Sequence, residues 1–186
     1  MTIQFITTNA GKFAEVSEQC AAANVKLVHM DRSYPEIQTD RLEKVLRYAA
    51  TGLDDELQGD YLIDDSGLFI EALGSFPGVY SAFVQKKLGN RGVLKLMSGE
   101  KYRAAFFKTV LLLRRGDEHV VFHGQCRGTI ADAERGKGGF GYDPIFVPEG
   151  ETRTFAEMTV AEKNKISHRA RAVEAMLAHL GAPQNP

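Results

Sequence analysis

The chain has 186 residues, 44% hydrophobic and 25% charged, enough for one domain with a full apolar core. Its 23 basic and 24 acidic side chains leave a net charge of −1, so no global field draws it to nucleic acid or to an anionic membrane. Any phosphate must be bound by a local cluster. Cys20 and Cys126 form no CxxC or CxxH pair, which argues against a zinc site and against a disulfide scaffold. The N-terminus lacks a basic leader, and the longest purely aliphatic run, Val110 to Leu113, cannot span a bilayer. A reducing, cytoplasmic setting is the expectation.

Taken in chain order, Ile3 to Thr7 reads as a short buried strand, followed by the small-residue loop Thr8-Asn9-Ala10-Gly11. A helix then carries Phe13, Val16 and Cys20 on one face. Val25 to Met30 reads as a second strand. Asp40 with Glu43 resembles a capping box, ahead of a helical stripe of Leu42, Val45, Leu46, Ala49, Ala50 and Leu53. Tyr61 to Ile63 is a strand that gives way to a loop at Asp64-Asp65. Phe106 to Arg114 and His119 to Ile130 are two long strands turning at Gly116-Asp117. Ile166, Ala170, Val173, Leu177 and Leu180 mark a last helix. The spacing predicts one α/β domain over residues 1–186, on a mixed sheet rather than a purely parallel one.

Four segments can carry chemistry. Thr7-Thr8-Asn9-Ala10-Gly11-Lys12 opens a helix with small residues, free N–H groups and a lysine, which suits an anion. It is not a Walker A loop, and an ordinary strand-to-helix turn has the same composition. Asp64 and Asp65 follow an apolar run, where two adjacent carboxylates favour a cation or general-base work. Glu36, after Pro35, either joins them or is a surface carboxylate at a helix start. In Gly136-Lys137-Gly138-Gly139-Phe140-Gly141-Tyr142-Asp143-Pro144, glycines free the backbone while Phe140 and Tyr142 offer rings for stacking. Lys163, His168 and Arg169 cluster at or before the final helix start, where cations oppose the macrodipole unless an anion or carbonyl is bound. A solvated basic face is the alternative.

The ordered set TTNAGK, PEIQ, DDSGL with PGVYSA, GGFGYDPIF, TFAEM and EKNKISHRA resembles the inosine/xanthosine triphosphate pyrophosphatase family, from Thr7 to about Arg171. The resemblance implies a long twisted mixed β-sheet with flanking helical lobes and a central cleft, a homodimer, and Mg²⁺ as cofactor. It implies that Thr7, Thr8, Asn9, Ala10, Gly11 and Lys12 hold the triphosphate. Asp65 is then the catalytic acidic residue and a metal ligand, Glu36 is a further ligand, and Ser66 touches substrate. Phe140, Gly141, Tyr142, Asp143, Lys163, His168 and Arg169 form the nucleobase and sugar site. One element departs from the family pattern. Many members carry Asn-Ala-x-x-Lys-Ala in the second helix, whereas here the segment is Leu42-Glu43-Lys44-Val45-Leu46-Arg47-Tyr48-Ala49.

The activity implied is hydrolysis of ITP, dITP and XTP to the monophosphate and pyrophosphate. Lysine and arginine only donate hydrogen bonds, and loop N–H groups do the same, which suits a 6-oxo purine over adenine. Two alternatives remain at this level: a pyrophosphatase for modified pyrimidine nucleotides, and a non-catalytic nucleotide-binding module.

Overall fold

The computed structural model describes residues 1–181, so residues 182–186 of the expected domain lie outside it. Strand β1 (Thr2–Ile6) buries Ile3, Phe5 and Ile6 and pairs in parallel with β2 (Lys26–Met30) and with β3 (Tyr61–Ile70). Between β1 and β2 runs helix α1 (Ala10–Ala22), whose Val16 and Cys20 face the core. Burial pushes the Cys20 thiol up to about 12, so it behaves as a core side chain rather than a nucleophile. Both cysteines are buried thiols, not joined in a disulfide.

Helix α2 (Leu42–Glu56) buries all six residues of the expected stripe. The capping box does not form. The helix starts one residue later than Asp40 requires, with Arg41 as an uncapped N-cap, and Glu43 instead meets Arg47 one turn on at 2.8 Å.

Strand β3 does not end at the carboxylates but continues to Ile70. Its far end gains a further partner: β4 (Phe76–Gly78) runs antiparallel to it, with Leu68 opposite Gly78 and Ile70 opposite Phe76. The low strand propensity of Asp-Asp-Ser-Gly is overridden by its place inside the sheet. Gly67 is obligatory there, since a Cβ would lie 2.3 Å from the Gly78 carbonyl oxygen. Helix α3 (Ser81–Leu96) follows, broken at Gly89 (φ 62°, ψ −174°). The hairpin β5 (Ala104–Arg115) and β6 (Glu118–Ile130) turns at Gly116-Asp117 as expected. Strand β7 (Phe146–Pro148) is antiparallel to β6. A one-turn helix α4 (Val160–Lys163) precedes α5 (His168–His179), which therefore opens two residues after Ile166.

The strands form a seven-stranded mixed sheet in the order β2-β1-β3-β5-β6-β7, with β4 on β3. The mixed α/β architecture predicted from the sequence is thus borne out. The chain divides into two compact units, one holding Met1–Asp65, Thr109–Gly124 and the residues from Arg169 on, the other Ser66–Lys108 and Gln125–His168. In the first, Ile3, Phe5, Leu62, Leu111 and Leu113 pack against Val16 and Cys20 of α1 and Val173, Met176 and Leu177 of α5. In the second, Leu68, Ile70, Val84, Phe107, Cys126, Phe146 and Phe155 form the core. Each such side chain contributes roughly 1.5–3 kcal/mol by leaving water. Val110 to Leu113 are all buried, which is why that stretch of β5 reads as a continuous apolar run. Among the described residues no helix is long and apolar enough to cross a membrane.

Candidate active site

In the first unit, the parallel register sets Ile6 opposite Ile63, so the segment after β1 emerges level with Asp64-Asp65. Open parallel sheets bind ligands at this carboxyl end of their strands. The Thr7 N–H extends the ladder to the Met30 carbonyl at 3.1 Å, and the His29 ring nitrogen Nε2 lies 2.8 Å from the Thr7 carbonyl. Because a carbonyl only accepts, that nitrogen carries the proton. Thr7 Oγ1 accepts from the Asn9 N–H, and Asn9 Oδ1 caps α1 by accepting from the Lys12 N–H at 3.1 Å. The first-turn N–H groups of Ala10 and Gly11 have no intrahelical partner, so they remain donors for an anion.

Lys12 ties this loop to the carboxylates. Its Nζ lies 3.1 Å from Asp64 Oδ2. Arg169 of α5 approaches the same oxygen at 3.5 Å through Nε and meets Glu15 of α1 at 2.6 Å through Nη1. Asp64 is 1% exposed and Arg169 2%, so this is a buried chain of alternating charge: Glu15, Arg169, Asp64, Lys12. Asp65 points the other way along the strand and is half-buried. Tyr34 closes the group, its hydroxyl donating to the Asp64 carbonyl at 2.7 Å. Burial first, and then the negative charges of Asp64, Asp65 and Glu36, hold its pKa well above the ordinary phenol value. Glu36, exposed on its loop, thus shares one neighbourhood with the acidic pair.

The second unit gathers the aromatic loop. Asp143 Oδ2 accepts from the Phe140 N–H at 2.9 Å and from Lys163 Nζ at 2.6 Å. Lys163 Nζ sits 4.9 Å from the Phe140 ring centre and 5.1 Å from that of Phe155. The His168 imidazole stacks on Phe107 at 4.5 Å with an interplanar angle of 10°. Gly139 has φ +66°, and a Cβ on it would collide with Asp143 Oδ2 at 2.1 Å, so glycine is required for this loop. The buried Tyr142 hydroxyl donates to the Ser81 carbonyl at 2.8 Å. Ser81 also gives the PGVYSA segment a structural role, because its Oγ accepts from the Leu68 N–H and donates to the Gly78 carbonyl. That hub braces β3 just past Ser66, which is itself half-buried.

The expected site residues therefore fall into two groups. Thr7 to Lys12, Glu36 and Asp65 lie in the first unit, and Ser66, Phe140 to Asp143, Lys163 and His168 in the second. Arg169, expected beside His168, belongs to the first group through Glu15 and Asp64. Lys44 and Arg47 are exposed, and Arg47 is engaged by Glu43.

A family model of the Ham1 family matches residues 3–179. The chain belongs to the Ham1 family. A relative named dITP/XTP pyrophosphatase from Thermococcus kodakarensis is 51% identical over 173 residues, 93% of this chain and 94% of that protein. Another of the same name from Pyrococcus horikoshii is 44% identical, covering 97% of each. A solved HAM1 protein from Coxiella burnetii matches with a TM-score of 0.83 and 32% identity, over 97% of this chain and 98% of that one. The resemblance read from the sequence is borne out.

Magnesium suits the donors present. Among the described residues no three His, Cys, Asp or Glu side chains form a ready metal cage. Glu36 and Asp65 offer hard oxygen ligands only, and Mg²⁺ normally takes one or two carboxylates with water and substrate phosphates for the rest. Glu36 and Asp65 would fit such an ion.

Proposed function

We propose that the chain hydrolyses the non-standard purine triphosphates ITP, dITP and XTP to the nucleoside monophosphate and pyrophosphate. The observation that supports this reading is the Lys12–Asp64 contact, which joins the helix-opening loop to the acidic strand. When bound, Mg²⁺ held by Glu36, Asp65 and the substrate phosphates would offset the charge developing on the leaving pyrophosphate. Asp65 orients the attacking water and accepts its proton as the water oxygen bonds to the α-phosphorus and the bond to the β-bridging oxygen breaks. Asp64 already has two cations for neighbours and acts as support. Lys12 and the first-turn N–H groups hold the departing phosphates. Phe140 stacks on the base, and Lys163 and His168 donate to its 6-oxo group.

Purified protein with Mg²⁺ is expected to release pyrophosphate from ITP with a kcat/KM about 100-fold or more above that for ATP, whose 6-amino group leaves the site's donors unmatched. Comparable values for ATP and ITP, or pyrophosphate release from ITP that is indifferent to chelation of Mg²⁺, would count against the reading. A cytoplasmic setting, beside the nucleotide pool, goes with it.

We also propose that the chain works as a homodimer. Phe76, Tyr80 and Phe83 are exposed at and just before the start of α3, with Phe83 62% exposed. Clustered apolar exposure of this kind marks an interaction surface. Wild-type protein is expected to sediment as a dimer and Phe83→Glu as a monomer. A wild-type monomer at micromolar concentration would refute the proposal.

A further inference from the structure

Gly141 sits between Phe140 and Tyr142 with φ +60°, and its carbonyl is gripped from α3. Gln85 Nε2 donates to it at 2.6 Å and Asn90 Nδ2 at 3.1 Å, while Gln85 Nε2 also lies 3.3 Å from Asn90 Oδ1. Residues five apart project roughly 140° from each other in a regular helix. The break at Gly89 is what turns Asn90 back onto the same carbonyl as Gln85. A glycine peptide resists rotation less than any other, so its orientation must be imposed by neighbours. On the other sides, Asp143 Oδ2 holds the Phe140 N–H and Ser81 holds the Tyr142 hydroxyl. The two amides complete that grip.

We propose that Gln85 and Asn90 are positioning residues that fix the Gly141 peptide and thereby hold Phe140 in its base-stacking pose. They touch neither the phosphates nor the reacting atoms. The inference rests on the reading of Phe140 to Asp143 as the nucleobase site. It predicts an effect confined to base binding, since the base-free part of the substrate is bound by the other group of residues.

The test uses Gln85→Met, which keeps the side-chain length at a half-buried position but removes the donor, and Asn90→Ala as a second variant. KM and kcat for ITP are measured alongside the inhibition constant of inorganic triphosphate, which has no base. Each variant is expected to raise KM for ITP roughly three- to tenfold, the worth of one hydrogen bond. The kcat stays within about twofold, since no transition-state contact is lost. The triphosphate inhibition constant is unchanged. A loss of general structure would instead raise KM and the triphosphate constant together, and that outcome, or an unchanged KM in both variants, overturns the clamp alone. A wild-type protein that binds triphosphate yet fails to hydrolyse ITP overturns the base-site reading and the clamp with it.

Discussion

Asp65→Asn is expected to lower kcat for ITP on the order of 10³-fold, the range for losing a general base. The substitution keeps the shape and one oxygen, so it removes charge and proton affinity but little else. Asp65 is half-buried on the side of β3 opposite Asp64, and it contributes with Glu36 and Asp64 to the field at the Tyr34 hydroxyl. The Mg²⁺ concentration for half-maximal rate should rise as well, because one of the two carboxylates proposed to hold the ion becomes a neutral amide. Folding should be almost unaffected. Asp64→Asn is the informative contrast, for Asp64 is buried between Lys12 at 3.1 Å and Arg169 at 3.5 Å. Neutralising it removes the carboxylate that Lys12 and Arg169 share. Its damage should therefore appear as a lower thermal midpoint and weaker triphosphate binding, not as a selective loss of kcat. Steady-state kinetics with a Mg²⁺ titration, paired with thermal melts, separates the two patterns. Near-normal Mg²⁺-dependent turnover by Asp65→Asn would remove Asp65 from the catalytic role.

How much of this is legible in the sequence depends on whether a feature is local. The candidate anion loop can be read because small residues, Asn9 and Lys12 lie within one turn of a helix start. That Asp64 and Asp65 face opposite ways can be read because side chains alternate along a strand. The end of their strand cannot, since β3 is prolonged by its place inside the sheet, which no local propensity at Asp64-Asp65-Ser66-Gly67 encodes. Adjacency in sequence groups Arg169 with His168. On a helix, however, adjacent side chains diverge by about 100°, and Arg169 turns to a partner 154 positions away in sequence, Glu15. Glu15 itself reads like any charged residue on an amphipathic helix. Ser81, Phe107, Gln85 and Asn90 are likewise silent, because their value lies in what the tertiary fold brings to them. PGVYSA is visible as a pattern, and only the hydrogen bonds of Ser81 give it a physical role.

Lys163 is expected to matter twice over, once for stability and once for the base, and the two effects can be pulled apart. Its Nζ is 2.6 Å from Asp143 Oδ2, with both side chains 4% exposed. Lys163→Met leaves the Asp143 carboxylate buried without its cation, which costs about 3–5 kcal/mol when one partner of such a pair is removed. For a chain of this size that corresponds to a fall in the thermal midpoint of roughly 10 °C. Adding Asp143→Asn removes the stranded charge while still accepting from the Phe140 N–H, so the double variant should recover most of the midpoint. It should not recover ITP binding, because the donor assigned to the 6-oxo group is still missing. The single and double variants are then expected to share a raised KM for ITP and a reduced preference over ATP while differing in stability. If the double variant instead regained KM together with its midpoint, Lys163 would act only as a structural partner of Asp143. The base selectivity would then rest on His168 and the loop N–H groups alone.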